Sequence, residues 1–124
     1  MVDDRSAVIT IDGEEYKLIL TTRATKEIGL RYGGLDKLGD KLLKEKDFSL
    51  ALDEILWLIV LLANQSVMIH NLQHRDTPKE LLTEEILELL TTPIELSTYK
   101  KAITEAMFKG MKRNVESEET EKNQ

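Results

Sequence analysis

The chain has 124 residues, of which 41% are hydrophobic and 32% are charged, and its formal net charge is −6. These values exclude the membrane and disordered classes, and a chain of this length can bury roughly two thirds of the surface that its unfolded form exposes. The negative charge opposes binding to phosphate backbones, and no run of Lys and Arg interleaved with aromatics offers a local exception. We expect one ordered domain that does not bind nucleic acid.

Cysteine content and the first residues indicate the compartment. The chain contains no cysteine, which removes disulfides and thiolate metal sites together and fits a reducing environment. The segment from Met1 to Arg5 is acidic, and no apolar stretch of the kind found in signal peptides follows it. We therefore expect a cytoplasmic protein without a membrane partner.

The first third of the chain predicts a β-hairpin and two helices. Alternating and β-prone residues around the turn signal Asp12-Gly13 predict a hairpin over 7–21. A helix over about 22–32 follows, and Gly33-Gly34 ends it because glycine adopts a positive φ without a Cβ clash. Leucines at helical spacing then predict a short amphipathic helix over 35–45.

The longest predicted helix covers 49–72 and has an unusual apolar centre. From Ile55 to Ala63 every residue is apolar, so this stretch offers no water-facing side. It is far shorter than the ~20 residues that span a bilayer, which predicts a buried helix of a soluble protein. The rest of the chain can cover it, or a partner can, and the second case predicts a homo-oligomer.

The last third of the chain predicts two more helices and a tail. A Thr-Pro-x-Glu pattern places Thr as the cap, Pro at the first helical position and Glu as a capping box, which predicts helices over 78–90 and 93–113. The acidic segment 114–124 is nearly devoid of apolar residues and is predicted to be a disordered tail beyond a single domain over 1–113. The predicted fold class is mainly α with a small N-terminal β-hairpin (α+β), a helical domain around one long buried central helix.

Candidate catalytic and metal-binding residues are few. His70 and His74 have the i, i+4 spacing of a two-histidine metal site, but Asn71 stands where H-E-x-x-H has Glu and no third ligand is evident. Gly33-Gly34 lacks the Lys-Ser/Thr of a phosphate loop, and Ser66 has no neighbouring base. We expect no catalytic residue, no metal and no cofactor, and therefore no enzyme.

Four side chains are candidates for binding a partner instead. Trp57 lies in the apolar centre of the main helix, and Phe108 falls about half a turn from the stripe formed by Leu96, Tyr99, Ile103, Ala106 and Gly110. Met107 and Met111 flank Phe108, and flexible thioethers beside an aromatic suit varied apolar partners. A second stripe that faces the core is the alternative for Phe108.

The order of these elements resembles the tail assembly chaperones of long-tailed phages and prophages of Gram-positive bacteria. The resemblance covers nearly the whole chain, and no catalytic motif contributes to it. The segments that carry it are the hairpin Ile9 to Leu18, the helix Thr22 to Tyr32 with Gly33-Gly34, the helix Leu52 to Leu62 around Trp57, Thr83 to Ile86, and the helix Tyr99 to Met111.

The resemblance implies a function in virion morphogenesis. Members of this family keep the long, helical, apolar tape measure protein soluble before tube subunits polymerise around it, and they are absent from the finished virion. Many copies coat one client in the host bacterial cytoplasm. A ribosomal frameshift commonly adds a second domain that recruits the tail tube protein. If Glu121, Lys122 and Asn123 were encoded GAA-AAA-AAC, they would contain the slippery heptamer A-AAA-AAC in phase.

The main alternative is a small helical regulatory or adaptor protein that binds one folded partner through the same apolar surface. The neighbouring genes distinguish the two functions, because a tail chaperone is expected just upstream of a very long tape measure gene.

Overall fold

The computed structural model describes residues 5–44 and 48–122 of the chain. Within them a two-stranded hairpin comes first and helices follow it. In chain order the elements are β1 (Ser6–Ile11), β2 (Glu14–Ile19), α1 (Thr22–Tyr32), α2 (Leu35–Lys44), α3 (Phe48–Gln73), α4 (Glu84–Leu90) and α5 (Pro93–Lys122). The predicted fold class is confirmed: the protein is mainly α with a small N-terminal hairpin. The predicted last residue of the second helix, 45, lies outside the described residues.

The hairpin is closed by a two-residue turn. Asp12 and Gly13 both have positive φ, 50° and 80°, as a type I′ turn requires, and this turn matches the right-handed twist of the strands. The strands are antiparallel, and Ile11 lies opposite Glu14 next to the turn. Alternate residues of β1, beginning with Ala7, are buried. One face of the hairpin therefore packs on the helical core, and the other faces solvent.

The central helix α3 is covered mainly by the chain itself. It packs against β2, α5, α4 and α1. The buried residues of its apolar run are Ile55, Leu56, Leu58, Ile59, Leu62 and Ala63. Trp57, Val60 and Leu61 are partly buried against the same core. The segment Ala51–Gln73 is long and apolar enough to cross a membrane by length and composition alone, a test that core helices of soluble proteins also pass. The chain thus buries most of this run, and the homo-oligomer expected from it stays a prediction.

Helix α5 packs across α3 and the hairpin. Its predicted stripe is confirmed, because Leu96, Tyr99, Ile103, Ala106 and Gly110 are all buried. Gly110 permits a close approach: a Cβ added there would lie 2.9 Å from the Cβ of Leu20. The absence of a side chain at this position thus allows α5 to lie directly on the residue that follows β2.

The start of α4 differs from the prediction of a helix over 78–90, because α4 begins at Glu84. Residues 77–83, here called the strap, run in a non-helical conformation along α3. The amide of Asn71 donates to Lys79 O at 3.1 Å and accepts from Lys79 N at 2.8 Å. Asn64 makes the same pair with Leu82, at 2.8 and 2.7 Å. These bonds occupy main-chain groups that a helix would use, and the Thr-Pro-x-Glu pattern at Thr77 therefore does not begin one.

The C-terminal end of α5 also differs from the prediction. The backbone is helical to Lys122, whereas a helix to 113 and a disordered tail over 114–124 were expected. Glu and Lys are good helix formers, and each residue added to an existing helix gains one hydrogen bond. These local preferences favour continuation of the helix. Residues 123–124 lie outside the described residues.

Candidate interaction surfaces

The α4–α5 corner exposes a group of large apolar side chains. Ile86, Leu89, Leu90 and Ile94 form this group, which we call the corner surface, and Leu89 and Ile94 are each 78% exposed. In α4 only Leu87 is buried. Residues two positions apart on a helix differ by about 160° around its axis, so Leu87 and Leu89 face nearly opposite sides. A helix that packs on the core with one side therefore cannot bury both. This surface was not among the features predicted from the sequence, although the wide apolar arc of α4 was a signal of it.

The corner surface has an acidic border. Between Lys79 and Lys100 the sequence contains no Lys or Arg. The carboxylates of this stretch are those of Glu80, Glu84, Glu85, Glu88 and Glu95. Glu84 and Glu85 also stabilise the first turn of α4, since its N-terminus carries partial positive charge. The corner therefore combines an apolar centre with negative charge.

The exposed side of α5 carries Phe108. This side chain is 65% exposed, so it does not form a second stripe that faces the core. It lines a shallow cleft of ≈ 960 Å³ with Lys100, Lys101 and Thr104, among others. Met111 is about half exposed, whereas Met107 is partly buried against the core. The structure thus brings Phe108 and Met111 to the surface and places Met107 between surface and core.

Phe108 and Ile94 lie on the same side of α5. Ile94 and Phe108 are separated by nearly four helical turns, so they point in similar directions about 21 Å apart along the axis. Both are exposed. One elongated apolar partner could therefore contact both at once.

Trp57 belongs to a cluster within the chain. Its ring meets Tyr32 edge-on, with 5.9 Å between the ring centroids, and the Arg31 guanidinium lies 4.4 Å from its centroid. The carboxylate of Glu54 is 3.5 Å from Arg31 Nε and 3.4 Å from Lys41 Nζ. These contacts join α1 and α2 to α3. Trp57 therefore has structural partners, and its predicted role in partner binding stays a prediction.

The two histidines lie at the C-terminal end of α3 and just beyond it. Their rings stack with 4.4 Å between centroids. His70 Nε2 is 3.1 Å from Thr77 O, and His74 Nδ1 is 3.1 Å from His70 O. Each ring therefore has one nitrogen close to a main-chain carbonyl, that of Thr77 in the strap for His70 and that of His70 in the last turn of α3 for His74. Among the described residues no three His, Cys, Asp or Glu side chains are grouped as metal ligands.

A groove of ≈ 1080 Å³ separates β2 from the strap, and its floor is the C-terminal half of α3. Glu15, Tyr16 and Lys17 line it from the strand. Tyr16 Oη donates to the carboxylate of Glu14 at 3.3 Å. Partial burial, and then the charge of Glu14 and this hydrogen bond, raise the pKa of Tyr16 above its ordinary value. The strand side of the groove is therefore a mixed surface of charges and one phenol.

The chain matches no family model, no curated protein and no solved structure.

Proposed function

We propose that the protein is a helical binding protein that keeps an apolar helical client soluble. More particularly, we propose that it is a tail assembly chaperone whose client is the tape measure protein. The observation that carries the proposal is a pair of exposed apolar side chains on one side of α5, Ile94 near its start and Phe108 nearly four turns later. The order of elements along the chain supports the same family.

This pair of side chains suits a long amphipathic helix as the client. A client helix that lies along α5 can bury Ile94 and Phe108 together, because an apolar stripe on a helix continues over successive turns. Each chaperone buries little area, so a single contact is weak, and many copies on one client bind through avidity. The net charge of −6 keeps the coated client soluble.

The function implies partners and a location. The partners are the tape measure protein, the tail tube protein through a frameshifted longer form, and further copies of the chain. The complex forms in the host bacterial cytoplasm and is absent from the mature virion. Neither an enzymatic activity nor a cofactor is part of this function.

Coexpression tests the proposal. The tape measure protein that we expect to be encoded just downstream of this gene is produced with and without the chain, and its soluble fraction is measured after centrifugation. We expect it to be soluble only with the chain and to copurify with several copies of it. A client that is equally insoluble in both cases contradicts the proposal.

The adaptor alternative predicts a different complex. An adaptor binds one folded partner with fixed stoichiometry, whereas a chaperone binds a long client in many copies. The mass of the purified complex gives the number of chains bound to each client molecule, and this number distinguishes the two functions.

A further inference from the structure

The hairpin register determines which main-chain groups point away from the sheet. In a type I′ hairpin the pair next to the turn, Ile11 and Glu14, exchanges hydrogen bonds, and the following pairs alternate between bonded and non-bonded. The non-bonded pairs direct their N–H and C=O groups outward. On β1 these residues are Ser6, Val8 and Thr10, and on β2 they are Glu15, Lys17 and Ile19.

The outer edge of β1 is covered by α5. Tyr99 Oη donates to Thr10 O at 2.7 Å, and Lys109 Nζ donates to Ser6 O at 3.0 Å. Both acceptors belong to the outward set, which agrees with the register. Covering an edge in this way prevents pairing with another chain.

None of the described residues covers the outer edge of β2 in this way. Within the part of the chain that the structure describes, no helix or strap residue hydrogen-bonds to the main chain of Glu15 or Lys17. Both residues are exposed, and the groove between β2 and the strap opens beside them. An unpaired edge of this kind selects an extended segment, because only a strand supplies main-chain donors and acceptors at matching spacing.

The charges along this edge select a second copy of the same strand. In an antiparallel pair of two β2 strands centred on Tyr16, Glu15 lies opposite Lys17 of the second copy, and Lys17 opposite its Glu15. A shift by one step in either direction places Glu15 opposite Glu15 or Lys17 opposite Lys17. Opposite charges across a ladder stabilise it, and like charges destabilise it. In the centred register, Glu15 and Lys17, whose main-chain groups point outward, also lie in hydrogen-bonded pairs.

We propose that two copies of the protein pair through their β2 edges about a two-fold axis at Tyr16, forming a continuous four-stranded antiparallel sheet. The contact is isologous, as in most homodimers, so each charged pair occurs twice. The two Tyr16 rings then form a cross-strand aromatic pair on the helical side of the sheet. The pairing does not depend on which client the protein binds.

Charge reversal tests the register. Glu15→Lys and Lys17→Glu each place like charges opposite one another at both pairs, and we expect each to weaken dimerisation by about tenfold. The double variant Glu15→Lys with Lys17→Glu restores both attractive pairs and is expected to dimerise like the wild type. Sedimentation equilibrium over a concentration series measures all four proteins. A wild type that is monomeric at every concentration, or a double variant as weak as the singles, overturns the proposal.

Proline variants test the edge itself. Lys17→Pro removes an outward N–H that the hairpin does not use, and proline is tolerated at strand edges. Val8 lies directly opposite Lys17, so Val8→Pro makes the same change on the edge that α5 covers. We expect Lys17→Pro to be monomeric at concentrations where Val8→Pro and the wild type are dimers. Equal dimerisation of the two proline variants contradicts the proposal.

Discussion

Asn64 and Leu82 exchange two hydrogen bonds, in which a side-chain amide on α3 pairs with both main-chain groups of one strap residue. Asn71 repeats the arrangement seven residues later with Lys79. Seven helical residues advance about 10.5 Å, and three residues in an extended, polyproline-like conformation advance about 9.3 Å. The two spacings match closely, and the pair of asparagines therefore fixes the strap along the helix.

We predict that Asn64→Ala lowers the free energy of unfolding by about 1–3 kcal/mol, because it leaves the partly buried main-chain groups of Leu82 without partners. Asn71→Ala is the matched control, since its hydrogen bonds are exposed and water can replace them. Urea unfolding of both variants measures the difference. Equal losses would mean that burial does not distinguish the two asparagines.

The strap also marks the limit of what the sequence could predict. Periodicity was sufficient for the hairpin and for α3, because these depend on neighbours in the chain, but it left open whether Phe108 faces the core. The pattern from Thr77 to Glu80 is typical of a helix start, yet its outcome depends on asparagines on another element. The sequence also could not show that the outer edge of β2 is uncovered, because this depends on α5 packing against the edge of β1 and not against that of β2. Contacts between distant segments decided both cases.

Gly110 and Gly29 provide a matched pair of glycine-to-alanine variants. At Gly110 the new Cβ would lie 2.9 Å from Leu20 Cβ, whereas at Gly29 nothing lies within 4 Å. We expect Gly110→Ala to be destabilising, since overpacking costs about 1–3 kcal/mol and exceeds the gain in helix propensity. Gly29→Ala is expected to be stabilising by up to about 1 kcal/mol. Thermal unfolding measures whether each variant is more or less stable than the wild type. A stabilising Gly110→Ala would contradict the close packing of α5.

Tyr99 should make stability depend on pH in the alkaline range. Partial burial, and then the charge of Glu95 and a hydrogen bond to it, raise the pKa of Tyr99 above its ordinary value of 10.0. The unfolded chain therefore loses the phenolic proton first, and this contribution to stability is present below pH 10.0 and decreases as pH rises through the folded-state pKa.

The variant Tyr99→Phe isolates this effect. It removes the hydrogen bond to Thr10 O, which should cost about 1 kcal/mol at neutral pH. It should also make the alkaline loss of stability shallower than in the wild type. Urea unfolding across the neutral and alkaline range measures both, and an unchanged alkaline slope would show that Tyr99 does not cause it.

The C-terminal segment should be dispensable for folding. Residues 115–124 contain several glutamates and Val115 as the only aliphatic residue, so they have little apolar surface to bury. We expect a chain that ends at Asn114 to keep nearly the same melting temperature, measured by circular dichroism. A decrease of several degrees would mean that this segment packs on the domain.

The variant Phe108→Ser tests the claim that the exposed side of α5 holds an apolar client. Leu30, which is 84% exposed on α1, supplies the control variant Leu30→Ser on another surface. The measurement is the soluble fraction of the coexpressed tape measure protein, beside the urea stability of each variant. Because Phe108 is exposed, we expect its stability loss to be small compared with the roughly 3–5 kcal/mol of a buried Phe, while client solubility decreases only for Phe108→Ser. Equal client solubility with wild type, Phe108→Ser and Leu30→Ser would contradict the claim.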